Sequence, residues 1–163
     1  FLGYPDGVVE YGLPLRRDIA RVIRRRRPDL VVASNPDPRP AWGGVDYADH
    51  RAVGLAAVDG MRDAGNRWLF TDVADPGTGQ VLEPWNGVRF AAFSGSDHAT
   101  HAVDVTDWID EGVASLAAHH TYLEGLSDGT VGKDPGPFLR SIASMAGPHL
   151  GVEYASSFEV IDL

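Results

Sequence analysis

The sequence predicts an α/β layered domain with a mainly parallel sheet. Helix-period apolar patterns alternate along the chain with short apolar runs of strand length. The 163 residues suit one domain large enough to bury a core. Hydrophobic content of 44% beside 23% charged residues is that of an ordinary globular protein.

In chain order, FLGYPDG (Phe1 to Gly7) is turn chemistry, with no strand or helix before it to be connected. Asp18 to Arg26 places Ile19, Val22 and Ile23 at i, i+3 and i+4, an amphipathic helix that Pro28 stops. Leu30 to Ala33 is an apolar run suited to a buried strand. The Pro-rich loop Ser34 to Pro40 then leaves that strand's C-terminal end, the edge at which open α/β sheets bind ligands. His50 to Ala64 reads as a second helix, with Val53, Ala56, Ala57 and Met61 on one face and Asp59 and Arg62 outside. Trp68 to Thr71 and Val88 to Phe93 read as strands, with Asp75 to Gly79 a loop between them. Thr106 is expected to N-cap a helix running to about Leu123, its core face being Ile109, Val113, Leu116, His120 and Leu123. Asp128 to Pro137 reads as a surface loop, Phe138 to Ala146 as a last helix and Phe158 to Ile161 as a final strand.

A net charge of −9 argues against nucleic acid, which binds clustered Lys and Arg. The basic run Arg24 to Arg27 ends a helix, where cations complement the dipole as a solvated cap. With no cysteine, disulfides and thiol catalysis are excluded. No apolar run reaches the roughly 20 residues needed to span a bilayer, and no signal peptide is visible. A Gly-x-Ser-x-Gly elbow is lacking. So is a phosphate-binding loop, Lys133 being the single lysine.

Among the six histidines, His50 stands out, because YADHRAVG places it beside Asp49 where a loop becomes a helix. Neutral imidazole is a common zinc ligand whose tautomer a carboxylate often fixes. The other reading makes Asp49 the helix N-cap and His50 merely its first residue. His98 and His101 lie three apart without a third His or any Cys nearby, so substrate lining or surface exposure suits them better than a zinc cluster. His119 and His120 fall late in a helix, where packing or a carbonyl satisfies such a residue. Asp6 is either a turn aspartate or a ligand-facing carboxylate.

In their order, LGYPDG (Leu2 to Gly7), RVIRRRRPDLVVASNPDP within the Ile19 to Asp37 segment and its continuation, DHRAVGLAAVDG (Asp49 to Gly60), HAVDVTDWIDEGVASLAAHHTY (His101 to Tyr122) and GVEYASSFEVI (Gly151 to Ile161) resemble the LmbE-like, or PIG-L, family of zinc-dependent de-N-acetylases. The resemblance covers nearly the whole chain. It implies a Rossmann-like architecture and a hydrolase that removes acetyl from an N-acetylated amino sugar, an N-acetylglucosaminyl conjugate. It implies Zn2+ on two His and one Asp, with His50 the downstream metal ligand. Tyr47 and Asp49 are the implied catalytic residues, Asp49 beside the ligand, and Asp6 and His101 the implied substrate-binding residues. The family's usual His-Pro-Asp-His is here Tyr47-Ala48-Asp49-His50, so a tyrosine hydroxyl replaces an imidazole at the oxyanion. The family's first motif, Ala-His-Pro-Asp-Asp, does not occur in these residues. The chain is therefore expected to be the C-terminal portion of a single de-N-acetylase-like domain, without its N-terminal strands. The alternative is a non-catalytic carbohydrate-binding domain that has lost its metal. The expected partner is a small-molecule glycoconjugate in the cytoplasm, without nucleic acid or a membrane span; homo-oligomerisation and the aglycone are left open.

Overall fold

The computed structural model describes residues 1–126 and 134–163. The single domain expected from length is built of two compact units, residues 1–100 with 158–163 and residues 101–157.

In the first unit, α1 (Leu13–Arg26) begins with Pro14 in its first turn, where a missing N–H costs nothing. Its stripe of Leu15, Ala20 and Ile23 is buried. Arg27 closes the helix in the left-handed region (φ 51°), its N–H donating to Ile23 O at 2.7 Å, and Pro28 stops further propagation. β1 (Leu30–Ser34) pairs in parallel with β2 (Phe90–Ser94), Leu30 opposite Phe90 and Ser34 opposite Ser94. β2 pairs antiparallel with β4 (Ala155–Asp162), Ser94 opposite Phe158.

With β3 (His101–Asp104) the sheet has four strands in the order β1-β2-β4-β3. The sheet is thus mixed where the alternation of elements predicts a mainly parallel one. An apolar run signals that a strand is buried, but nothing about its direction. As an edge strand, β1 is covered on one face only: Val31 and Ala33 pack on the core, while Leu30 and Val32 are exposed.

α2 (Ala48–Gly65) packs on α1 and β1, and Ala56, Ala57 and Met61 are buried as expected. Small residues permit the approach. A Cβ on Gly54 would lie 2.6 Å from the Ser34 carbonyl oxygen, and one on Gly60 would lie 2.6 Å from Ile19 Cγ2. The core joins Ala20, Ile23, Met61, Ala64, Val88, Ala91 and Phe93.

Two sequence expectations fail in this unit for one reason. Arg24 is buried rather than solvated, and its guanidinium donates to the carbonyls of Asp63, Ala64, Asn66, Leu69 and Phe70 at 2.8–3.2 Å. Trp68 to Thr71 is accordingly a chain of turns and not a strand. Carbonyls that a sheet neighbour would have used are taken by the arginine, and Phe70 lies at φ 50°. The rest of the basic run, Arg25 to Arg27, is exposed at the helix end as expected. Arg25 pairs with Asp75 at 2.7 Å and Arg27 lies over the Trp85 ring.

The second unit holds β3, the first residues of β4, and helices. The helix expected from Thr106 to Leu123 is broken into a 3-10 turn (Thr106–Trp108), α3 (Ile109–Ala117) and α4 (His120–Gly125). Thr106 does not cap it, because its hydroxyl bonds the backbone of Tyr154, and Asp104 Oδ1 instead accepts from Thr106 N at 2.9 Å. Leu123 is buried and Ile109, Val113 and Leu116 are half-buried, but His120 is exposed and no part of the core. His119 Nδ1 lies 3.0 Å from Ser115 O at the break. α5 (Gly136–Leu150) extends the expected helix at both ends, so Gly136 and Pro137 open it. The remainder of the loop expected over Asp128 to Pro137 lies for the most part outside the described residues. Gly151 (φ 75°) ends α5 in the left-handed conformation. Among the described residues no helix is long and apolar enough to cross a membrane.

Candidate functional site

β1 and β2 run parallel and end together at Ser34 and Ser94, so the loops after them leave from one edge of the first unit. The carboxyl ends of parallel strands are the usual ligand-binding edge. The loop from Asn35 to Tyr47 is fixed there by its backbone. Asn35 is buried, its N–H donating to Ser94 O at 3.2 Å, its Nδ2 to Gly95 O at 3.3 Å, and its Oδ1 accepting from Asp37 N at 3.0 Å. Ala41 N donates to Gly95 O at 2.9 Å and Asp46 N to Pro38 O at 3.0 Å. The loop therefore returns on itself before α2 begins.

His50 lies in the first turn of α2 with its side chain 51% exposed, its Nδ1 3.0 Å from Asp46 Oδ1. The same carboxylate oxygen accepts from Tyr47 N at 2.8 Å, and the Asp46 backbone carbonyl accepts from Arg51. The Asp46 side chain is only 8% exposed. A carboxylate that takes Nδ1–H leaves Nε2 as the nitrogen with a lone pair. Tyr47 is 75% exposed and stands edge-on to the imidazole, ring centroids 5.5 Å apart.

Asp49 is neither the N-cap of α2 nor the carboxylate that holds the His50 ring. The N-cap residue is Tyr47, which makes no side-chain cap bond. Asp49 is buried in the first turn, where its charge suits the helix dipole, and its Oδ2 accepts from Gly7 N at 2.8 Å. This bond brings the Asp6-Gly7 turn to the start of α2, and Asp6 is exposed on that turn. Tyr47, Asp49 and His50 are thus together, with Asp6 on the turn that Asp49 holds. His101 opens β3 in the second unit, exposed. His98 is exposed and faces Asp97 Oδ1 at 3.4 Å.

Asp46 is the residue that sequence reasoning missed. The signal was present, since an acid four residues before a histidine at a helix start is a spacing that brings the two side chains together. The neighbouring Asp49 drew the assignment instead.

As a metal centre the arrangement is partial. His50 fits as one ligand, its ring oriented by a carboxylate as ligating histidines usually are. Among the described residues, however, no group of three or more His, Asp or Glu side chains converges on one point. Nor is the site enclosed. Cavities of 320 and 430 Å³ lie beside Arg25 and Glu83 and beside Asn66 and Asn86, and neither is lined by His50.

No family model matches the chain. A diacetylchitobiose deacetylase of Thermococcus kodakarensis is 25% identical over 164 residues, 98% of this chain and 55% of that protein. The N,N'-diacetylchitobiose deacetylase of Pyrococcus horikoshii, solved with an inhibitor, superposes with a TM-score of 0.79 at 26% identity, over 97% of this chain and 55% of its own. A conserved protein of Thermus thermophilus shares the fold, with a TM-score of 0.71 at 24% identity, over 96% and 62% of the two chains. The chain thus spans about half the length of the curated relative it matches.

Proposed function

We propose that this chain carries part of the active site of a zinc-dependent deacetylase of the LmbE-like type, which hydrolyses the acetamido group of an N-acetylated amino sugar such as diacetylchitobiose. The observation that carries the reading is the His50–Asp46 pair at the carboxyl edge of β1 and β2. Similarity to two deacetylases over nearly the whole chain supports it.

In this reading Asp46 holds the proton on Nδ1 and fixes the ring, so that His50 presents Nε2 to the metal. The remaining ligands come from residues outside these 163. The half-length match supports that, as does β1, an edge strand with Leu30 and Val32 exposed. Zinc held there would lower the pKa of a bound water towards about 7 and polarise the amide carbonyl. Tyr47, exposed beside His50, would donate a hydrogen bond from its hydroxyl to the oxygen on which charge develops. Asp49 acts at one remove, holding the Asp6-Gly7 turn against the helix start.

Zinc content and acetate release from N,N'-diacetylchitobiose test this reading, each compared between wild type and His50→Ala in a protein that also carries the segment proposed to supply the remaining ligands. The expected result is loss of both, with an unchanged urea midpoint, because the His50 side chain is half-exposed at the start of the helix. Zinc content and acetate release that survive His50→Ala would remove His50 from the metal and with it the basis of the proposal.

A further inference from the structure

We infer that the Trp42 indole is a stacking platform for a pyranose ring of the substrate at the edge of the sheet that carries His50. The inference rests on the sugar-deacetylase reading and adds a recognition residue to it.

Trp42 lies in the loop between Asn35 and Tyr47, four residues before the aspartate that holds His50. Its ring is backed by the chain just beyond β2. A Cβ built on Gly95 would fall 2.8 Å from Trp42 Cζ3 and 3.0 Å from Cη2, so only glycine lets the six-membered part of the indole lie there. Gly95 also has φ 76°, a second and independent reason for glycine. The backbone on either side of Trp42 is fixed as well, Ala41 N–H donating to Gly95 O at 2.9 Å and Gly43 N–H to Pro40 O at 2.9 Å. Despite this anchoring, Trp42 is 71% exposed.

Trp68 and Trp108 are exposed to a similar degree, so what sets Trp42 apart is its contact with Gly95 and its place on the loop that carries Asp46. Preorganisation is what recognition requires: an aromatic that is ordered before the ligand arrives loses little entropy on binding. The chemistry of the face selects the partner. An indole face carries the negative part of the ring quadrupole, and a pyranose offers it a flat patch of C–H bonds polarised by neighbouring oxygens. A neutral sugar also suits a chain of net charge −9 better than an anionic ligand does. Stacked on Trp42, the sugar is held on the edge where Asp46 orients His50, and recognition is separated from the reacting group.

The test is a titration of the indole-labelled protein with N,N'-diacetylchitobiose, followed by NMR. The signal that disappears in Trp42→Phe identifies the residue. That signal should move on titration, and Trp42→Ala should weaken sugar binding about tenfold, raising KM with kcat little changed, as expected for one lost aromatic partner. Sugar binding that leaves this signal unmoved, or no sugar binding at all, overturns the platform. An unchanged KM in Trp42→Ala does the same. The two readings fail separately: acetate release with an unmoved Trp42 signal removes the platform and leaves the deacetylase, whereas a moving signal without acetate release leaves the platform and removes the deacetylase.

Discussion

At its C-terminal end α2 delivers the carbonyls of Asp63 and Ala64 to a buried guanidinium; at its N-terminal end it presents a half-exposed imidazole to an open edge. The first end is closed chemically. Arg24 ties together five carbonyls, four of which also accept from a backbone N–H, and Arg16 grips the buried Asp63 from α1 through two bonds of 2.8 and 2.9 Å. The second end has no side-chain cap and is built from a loop pinned to Gly95. One helix is thus anchored at one end so that groups at the other can stay exposed. Stability and function are divided along its length.

The largest effect should come from breaking the anchored end. Burial pushes the Arg24 guanidinium down from its ordinary value, with Asp63 acting against that, yet an arginine stays charged at any working pH. Arg24→Met keeps the aliphatic stem and removes every donor. Losing five charge-assisted bonds that tie the turns after α2 to α1 should cost about 3 kcal/mol or more, read as a fall in the urea midpoint. Arg24→Lys should recover only part of that loss, because an ammonium lacks the planar fork. A midpoint for Arg24→Met within about 1 kcal/mol of wild type would refute the anchoring role.

Next in size are the two glycines that let α2 approach its neighbours, and they sharpen the comparison because they differ in what they face. At Gly54 the obstacle is the Ser34 carbonyl and the Asn35-Pro36 backbone, with distances of 2.6–3.0 Å to a Cβ. Backbone cannot turn aside, and it is the backbone from which the candidate site's loop departs. At Gly60 the obstacle is Ile19 on α1, Cγ2 at 2.6 Å and Cβ at 3.0 Å. A β-branched side chain has little χ1 freedom in a helix, so relief comes from a slight displacement of α1, which is less constrained than a strand held in the sheet ladder. Gly54→Ala should therefore destabilise by about 1–3 kcal/mol and Gly60→Ala by clearly less, measured by thermal unfolding of each. The opposite order would mean that α2 is held chiefly by α1 and not by the strand edge.

The same division explains what was legible in the sequence. Apolar spacing gave α1, α2, β1, β2 and β4, because burial on one face leaves a period in the chain. It failed at Trp68 to Thr71, where a buried arginine some 40 positions earlier consumes the carbonyls. A run of four arginines gives no sign that its first member points inward. It failed again at Thr106, whose hydroxyl is taken by Tyr154, and in the direction of β4, on which apolarity is silent. At the candidate site the pattern singled out His50 and paired it with Asp49, whereas the carboxylate beside its Nδ1 is that of Asp46. Adjacent residues on a helix point about 100° apart, so Asp49 and His50 do not share a face.

That last difference supplies the smallest effect and the finest test. Neither acid carries much stability: loss of the Asp49–Gly7 bond or of the Asp46 bonds should each cost about 1 kcal/mol. The distinction lies in the imidazole. With Asp46 accepting from Nδ1, neutral His50 is held in the Nδ1–H form, and Asp46→Ala should release it towards the Nε2–H form, visible in the ring nitrogen shifts. Asp49→Ala should leave those shifts in place, because its carboxylate is turned to Gly7. It should instead loosen the Asp6-Gly7 turn, seen as faster amide exchange at Gly7. If Asp49→Ala moved the tautomer and Asp46→Ala did not, the orienting carboxylate would be the adjacent one after all, and the open end of α2 would be organised by sequence neighbours and not by its loop.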